Sequence, residues 1–291
     1  MYRYDSFSLR NLYHTSCYEE LKVNKPGNLS INSPILGMSY KRFLNAAKIS
    51  GEIILHKKYD INQAIYNAVK KCMTQLGSNY NLGIILLAVP ILRSVSKKYN
   101  SQKIIKTNLN TQLELIFRNK NNLILKAIKI AKPGGIEKYD GEGNIMKEIK
   151  NFEVKKILVK SSNNDRISRA YTNSYSEIFD YGLVFFKKSK KKFSFEFSVQ
   201  RLFVYYMSID FDSHILRKFG KFTALKIKNK AKSLLKKLDS EDSLKNKLLI
   251  NFDKYLKHMH LNPGTCADLT VTTLLIDKIL CIVQYSNLKK V

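Results

Sequence analysis

The stretch INQAIYNAVKKCMTQLGSNYNLGIILLAVPIL, residues 61–92, decides the fold. Ile61, Ala64, Ile65, Ala68, Val69 and Cys72 recur at the spacing that puts them on one face of a helix. Gly77 closes that helix, because glycine accepts the left-handed backbone of a helix C-terminus. A polar loop, Ser78 to Asn81, then feeds a helix from Leu82 so apolar that it belongs in a core. Its apolar run, Leu82 to Leu92, contains Gly83 and Pro90 and falls short of the roughly 20 residues a bilayer span needs.

The helical period extends in both directions. Phe7, Leu9, Leu12, Tyr13 and Cys17 mark an opening helix that stops before the turn Lys25-Pro26-Gly27-Asn28. Ser39 is placed to cap a helix whose stripe includes Phe43, Ala46, Ala47 and Ile54. Further helices are expected over Thr111–Ala131, from around Phe152, and over Asp165–Lys188 and Phe193–Ile209. Gly220–Leu238, Ser243–Met259 and Thr265–Tyr285 complete the set. Lys132 to Ile149, polar and glycine-bearing, reads as an extended loop. Alternation at period two is scarce, and 12 Gly with 5 Pro are few for a fold of many short strands. The expectation is an all-α helical bundle, one domain over residues 1–291, with functional loops between the helices.

Composition narrows the partners. Hydrophobic residues at 44% are enough for a sizeable core, so wholesale disorder is excluded. Lys and Arg number 51 against 23 Asp and Glu, a formal net charge of +28 that attracts polyanions. Basic residues are dispersed, and the densest runs, Lys187–Lys192 and Lys226–Lys237, match no nucleic-acid motif and read as solvated faces. Nucleic acid is therefore not the expected partner. Cys17, Cys72, Cys266 and Cys281 form no C-x-x-C pair and are too few to staple the chain, which fits a cytoplasmic protein. Met1 to Arg10 lack the apolar stretch of a secretion signal, and no membrane association is expected.

Short polar clusters lie beside strongly apolar helices. They are Asn24-Lys25-Pro26-Gly27-Asn28, Gly77-Ser78-Asn79-Tyr80-Asn81-Leu82-Gly83, Ala131-Lys132-Pro133-Gly134-Gly135 and Asp165-Arg166-Ile167. Asp212-Ser213-His214-Ile215 with Arg217-Lys218, and Asn262-Pro263-Gly264-Thr265 with Ala267-Asp268-Leu269, complete the series. In this order they resemble the triphosphoribosyl-dephospho-CoA synthase family. The Asn79-Tyr80-Asn81-Leu82-Gly83 segment is more similar to the branch linked to methanopterin and one-carbon metabolism than to the citrate-lyase branch.

That resemblance implies attack by the ribose 2′-hydroxyl of 3′-dephospho-CoA on the anomeric carbon of ATP, expelling adenine and keeping the triphosphate. Such chemistry asks for negative charge near an oxocarbenium-like ribose, a base for the hydroxyl, a proton for adenine, and cations with Mg²⁺ for the phosphates. On the resemblance, Asp212 is expected as base or metal ligand and Asp268 as metal ligand or ribose partner. His214 is a candidate proton donor to adenine or, equally, a satisfied polar residue at a helix start. Lys25, Asn28, Asn79, Asn81, Gly83, Arg166, Arg217, Lys218, Asn262 and Thr265 are expected to hold the nucleotide and its phosphates. The acceptor stays open between dephospho-CoA and a pterin-pathway intermediate. Asp140 reads as a solvated loop acid or a closing group over the nucleotide, and His258 and His260 are spaced poorly for zinc.

Overall fold

A computed structural model of the chain describes residues 5–96, 101–136 and 153–288, with side chains to 282. Among the described residues it is all-α, with thirteen helices and no strand. In order they are α1 (Ser6–Lys22), α2 (Tyr40–Ile54), α3 (Ile61–Leu76), α4 (Leu82–Ser94), α5 (Gln102–Phe117), α6 (Leu123–Ala131) and α7 (Val154–Ser161). Then come α8 (Arg166–Thr172), a π-helical turn (Glu177–Gly182), α9 (Leu183–Lys190), α10 (Phe195–Ile209), α11 (Ser213–Lys237), α12 (Ser243–His258) and α13 (Gly264–Leu288). No helix among the described residues is long and apolar enough to cross a membrane. The expected loop beyond residue 136, with Asp140 and the helix start at Phe152, lies outside the described residues.

The local signals act as their chemistry predicts. Ser39 caps α2 through its hydroxyl, which accepts from the Arg42 amide. Asp60 and Gln63 close a capping box at the start of α3, and Gly77 ends it in left-handed conformation at φ 69°. Three departures from the periodic reading have local causes. The helix expected over Thr111–Ala131 is two, because Asn122 turns left-handed at φ 52° and the Asn119 side chain accepts the Leu123 amide instead. The helix expected over Asp165–Lys188 breaks at Ser174 and Tyr175, both left-handed, and resumes through the π-helical turn. The helix expected from Gly220 does run on to Lys237, but a further helical segment from Ser213 precedes it, and Gly220, with non-helical φ 81° and ψ 170°, breaks α11 between the two segments.

Helix α4 is buried on every side from Ile84 to Leu92 and packs against α3, α5, α8 and α13. Pro90 lacks the amide that would bond the Leu86 carbonyl one turn earlier. The freed carbonyl accepts the Tyr171 hydroxyl at 2.6 Å, with the Tyr175 hydroxyl at 3.4 Å. A helix defect in the core thus anchors α8 to α4. Helix α13 carries Thr270, Thr272 and Thr273 into the interior at little penalty, since each hydroxyl donates to a carbonyl one turn back. The buried apolar residues form one contiguous cluster running from Leu9 to Leu280.

Candidate active site

Four helix starts surround one cavity of about 1060 Å³: the N-terminal turns of α4, α8, α11 and α13. Each presents the positive end of its dipole, a setting that favours anions, although first-turn amides such as Leu82, Ser168, Ile215 and Cys266 are already accepted by capping side chains. The rim adds Arg217, Lys132 and Lys221, and the Pro133–Gly135 turn forms part of the far wall. The opposite wall is apolar, built from residues such as Phe43, Met73, Leu125, Ile128 and Ile157. The volume lies at the upper end of the ~300–1,000 Å³ usual for ligand pockets, so the space admits a large ligand or two smaller ones.

Of the residues expected in the site, Asn28, Asn79, Gly83, His214, Arg217, Asn262, Thr265 and Asp268 line this cavity together. The Asn28 amide donates to Asn262 Oδ1 at 2.8 Å, joining the Pro26-Gly27 turn to the start of α13. Gly27 is required at that turn, with φ 75° and a backbone pressed on Leu256 and the Leu261 carbonyl. Asn79 Oδ1 accepts the Leu82 amide and so caps α4 from within the loop. Arg217 donates to Asp165 Oδ2 at 2.7 Å and reaches the Gly134 carbonyl at 3.4 Å.

His214 and Asp268 are the two titratable groups in the cavity whose chemistry stands out. His214 Nδ1 sits 3.0 Å from the Asn262 carbonyl, an acceptor only, so Nδ1 carries a proton there. Burial pushes the imidazole below its usual range, against the opposing pull of Asp212. The ring is then neutral near pH 7 and Nε2, beside Gly134, is left as an acceptor. Asp268 makes no side-chain hydrogen bond or ion pair among the described residues, and its carboxylate lies against Gly83. Burial raises it well above the carboxylate range, and repulsion from Asp212 and Glu20 adds to this while Arg217 opposes it.

Five expected residues do not line the cavity. Lys25 is buried, with its ammonium bonded to the carbonyls of Glu20, Val23 and Leu29 and paired with the Glu20 carboxylate at 3.2 Å. Burial pushes both partners of that pair toward their neutral forms, and their mutual attraction opposes it. Asn81 is buried and donates to the Ser50 hydroxyl at 3.0 Å. Arg166 is 1% exposed and has protein partners only. Lys218 is turned outward over the Phe219 ring.

Asp212, the fifth, is buried with both oxygens taken: Oδ1 accepts the Ile215 amide at 3.0 Å and Oδ2 the Cys266 amide at 2.8 Å. It caps α11 and ties that helix to α13, and it is not among the residues that line the cavity. Asp212→Asn turns one accepted amide into a donor–donor clash, and is expected to lower stability by about 1–3 kcal/mol. Chemical denaturation will measure that loss. Abolished turnover at unchanged stability would contradict this account of Asp212.

Glu20 and Lys221, and the cluster members Asp165 and Lys132 that were given no role of their own, also line the cavity. Glu20 was legible as a carboxylate falling on the buried stripe Tyr13, Cys17, Leu21 of α1. Asp165 was legible as the cap of α8, accepting the Ser168 amide at 2.8 Å. Nothing in spacing marks the two lysines, because which lysine faces a cavity depends on helices far away in sequence. Among the described residues no group of three or more His, Cys, Asp or Glu side chains forms a ready metal cluster.

The described residues thus form an all-helical fold around a cavity lined by helix starts, basic side chains and apolar residues. Residues 6–286 match the CitG family of ATP:dephospho-CoA triphosphoribosyl transferases, and the chain belongs to that family. It is a triphosphoribosyl-dephospho-CoA synthase-like transferase. A crystal structure from Archaeoglobus fulgidus, provisionally described as a triphosphoribosyl-dephospho-CoA synthase, shares the fold with a TM-score of 0.59 at 21% identity. The likeness covers 82% of this chain and 98% of that one. No curated protein matches the chain.

Proposed function

We propose that the chain transfers the triphosphoribosyl group of ATP to the ribose 2′-hydroxyl of 3′-dephospho-CoA and releases adenine. One observation carries this reading: His214 and the Asp268 carboxylate, which has no hydrogen-bond or ion-pair partner among the described residues, line the same cavity, which four helix starts and Arg217 make attractive to a polyphosphate. The acceptor oxygen attacks the anomeric carbon of ATP. The new C–O bond forms as the C–N bond to adenine breaks, and the bonding electron pair leaves with the adenine nitrogen.

The hydroxyl proton passes to His214 Nε2, a base poised below the imidazole's usual range. Adenine takes up a proton from solvent as it departs, and the imidazolium later returns its own to solvent, so no net proton is consumed. A neutral ring whose only N–H is tied to Asn262 is ill suited to donate, so the base role replaces the donor role expected from sequence. Asp268 supplies negative charge beside the oxocarbenium-like ribose, where a cation restores the ionised form that burial disfavours. The helix starts at Gly83 and Thr265, with Arg217, Lys132 and Lys221, hold the triphosphate.

Among the described carboxylates that line the cavity, Glu20 is paired with Lys25 and Asp165 with Arg217, so Asp268 would be the Mg²⁺ ligand, a magnesium ion bound with a nucleotide commonly taking one or two carboxylates plus phosphate oxygens. When bound it neutralises phosphate charge.

A second acceptor, a pterin-linked intermediate of one-carbon metabolism, is supported by the Asn79–Gly83 segment, most of which lines the cavity and which resembles that branch except at Tyr80. Incubation with ATP, Mg²⁺ and dephospho-CoA is expected to release adenine, followed by chromatography. His214→Gln is expected to lower that rate by about 10²-fold or more. Adenine release that requires a different acceptor selects the second reading, and none with either acceptor refutes both.

A further inference from the structure

Arg166 belongs to the sequence cluster that resembles the family, yet it does not reach the cavity. Its guanidinium lies in the interior, donating to the Tyr206 carbonyl at 2.9 Å, to Cys266 Sγ at 3.4 Å and to the Glu177 carboxylate. Its own backbone amide donates to the Ser213 hydroxyl at 2.9 Å. Arg166 is the first residue of α8, Ser213 the first of α11, and Cys266 lies in the first turn of α13. Asp212 completes the knot by accepting amides from Ile215 and Cys266.

One buried side chain and its neighbours therefore join three of the four helix starts around the cavity. From each start a functional side chain projects the other way: Asp165 from α8, His214 and Arg217 from α11, Thr265 and Asp268 from α13. The partner that balances the buried charge comes at a structural expense. Glu177 opens the π-helical turn, which follows two left-handed non-glycine residues, Ser174 and Tyr175. That turn also packs Gly182 against the Tyr206 hydroxyl, on the residue whose carbonyl Arg166 holds. An apolar core residue would fill the same volume without a charge to bury, but it would not fix the relative register of three helix ends.

We infer that Arg166, held by Glu177, is a positioning residue that sets His214 and Asp268 relative to each other by clamping the starts of α8, α11 and α13. The arm of the test that uses turnover rests on the transferase reading, so a second arm is independent of it. Arg166→Lys keeps the charge but loses the planar fork. Glu177→Gln keeps the shape but loses the charge, and should fold even if the first variant does not. Both are expected to lower kcat at least about tenfold with KM for ATP within about threefold.

In the same full-length variants, hydrogen exchange of the Ile215 and Cys266 amides is expected to quicken at least about tenfold, while the Ala68 amide in α3 keeps its wild-type rate. Unchanged local exchange with unchanged kcat overturns the clamp. Uniformly faster exchange across the molecule also overturns it, because the pair would then serve general stability. Faster local exchange in a protein whose wild type releases no adenine upholds the clamp and refutes the transferase reading instead.

Discussion

Asp268→Asn is expected to reduce adenine release by about 10³-fold while making the protein more resistant to heat at neutral pH. Both effects follow from one side chain. Asp268 is the cavity-facing carboxylate without a hydrogen-bond or ion-pair partner among the described residues, so its charge is available to a bound cation or a cationic transition state. That same charge is disfavoured in the empty protein by burial and by Asp212 and Glu20.

The sign of the pH dependence is fixed by this. Between the ordinary carboxylate value of 3.8 and the raised folded value, the native protein holds a proton that the unfolded chain has released. Stability of the wild type therefore falls as pH rises through that window. The asparagine variant has no such penalty. Its gain in thermal midpoint should be absent below the unfolded carboxylate's range and grow toward pH 7, measured without nucleotide or Mg²⁺. An equally active variant, or one that melts lower at pH 7, would remove Asp268 from the proposed chemistry.

Gly83→Ala is the second large effect, expected to lower turnover by about 10²-fold or more while leaving helix content intact. Alanine suits a helix better than glycine by roughly 1 kcal/mol, so intrinsic preference favours the change. Space opposes it, because a methyl group at Gly83 would run into the Asp268 carboxylate. Rotating that carboxylate away is the easiest relief, and it removes the charge from the place where ribose is proposed to lie. Circular dichroism with single-turnover assays separates the two contributions. Full activity in this variant would show that the Asp268 position near Gly83 is immaterial to the reaction.

Much of the architecture was legible from local rules. The stripe from Ile61 to Cys72, the caps at Ser39 and Asp60 and the glycine stop at Gly77 are each short-range signals, and each acts in the structure as it reads in the chain. Two of the misreadings share one origin. Asn122, Ser174 and Tyr175 take left-handed backbone without being glycine, and Glu177 starts a π-helical turn. In one of these places the reward is distant: Tyr175 and Tyr171 reach the carbonyl that Pro90 leaves free in α4. Periodicity within a window cannot register a partner 85 residues away.

What the chain determined by itself was its helical class, the placement of most helices, and the polar turns where chemistry could gather. Those follow from neighbours within a few residues, where backbone preference and side-chain spacing act directly. Only the packed molecule decided which charges serve the cavity and which serve the frame. Lys25, Arg166 and Asp212 look as reactive in sequence as Arg217 and Asp268, but the first three end against backbone groups and buried counter-charges. A charged side chain acquires its function from what stands across from it and from how much water remains, and both are properties of the assembled helices.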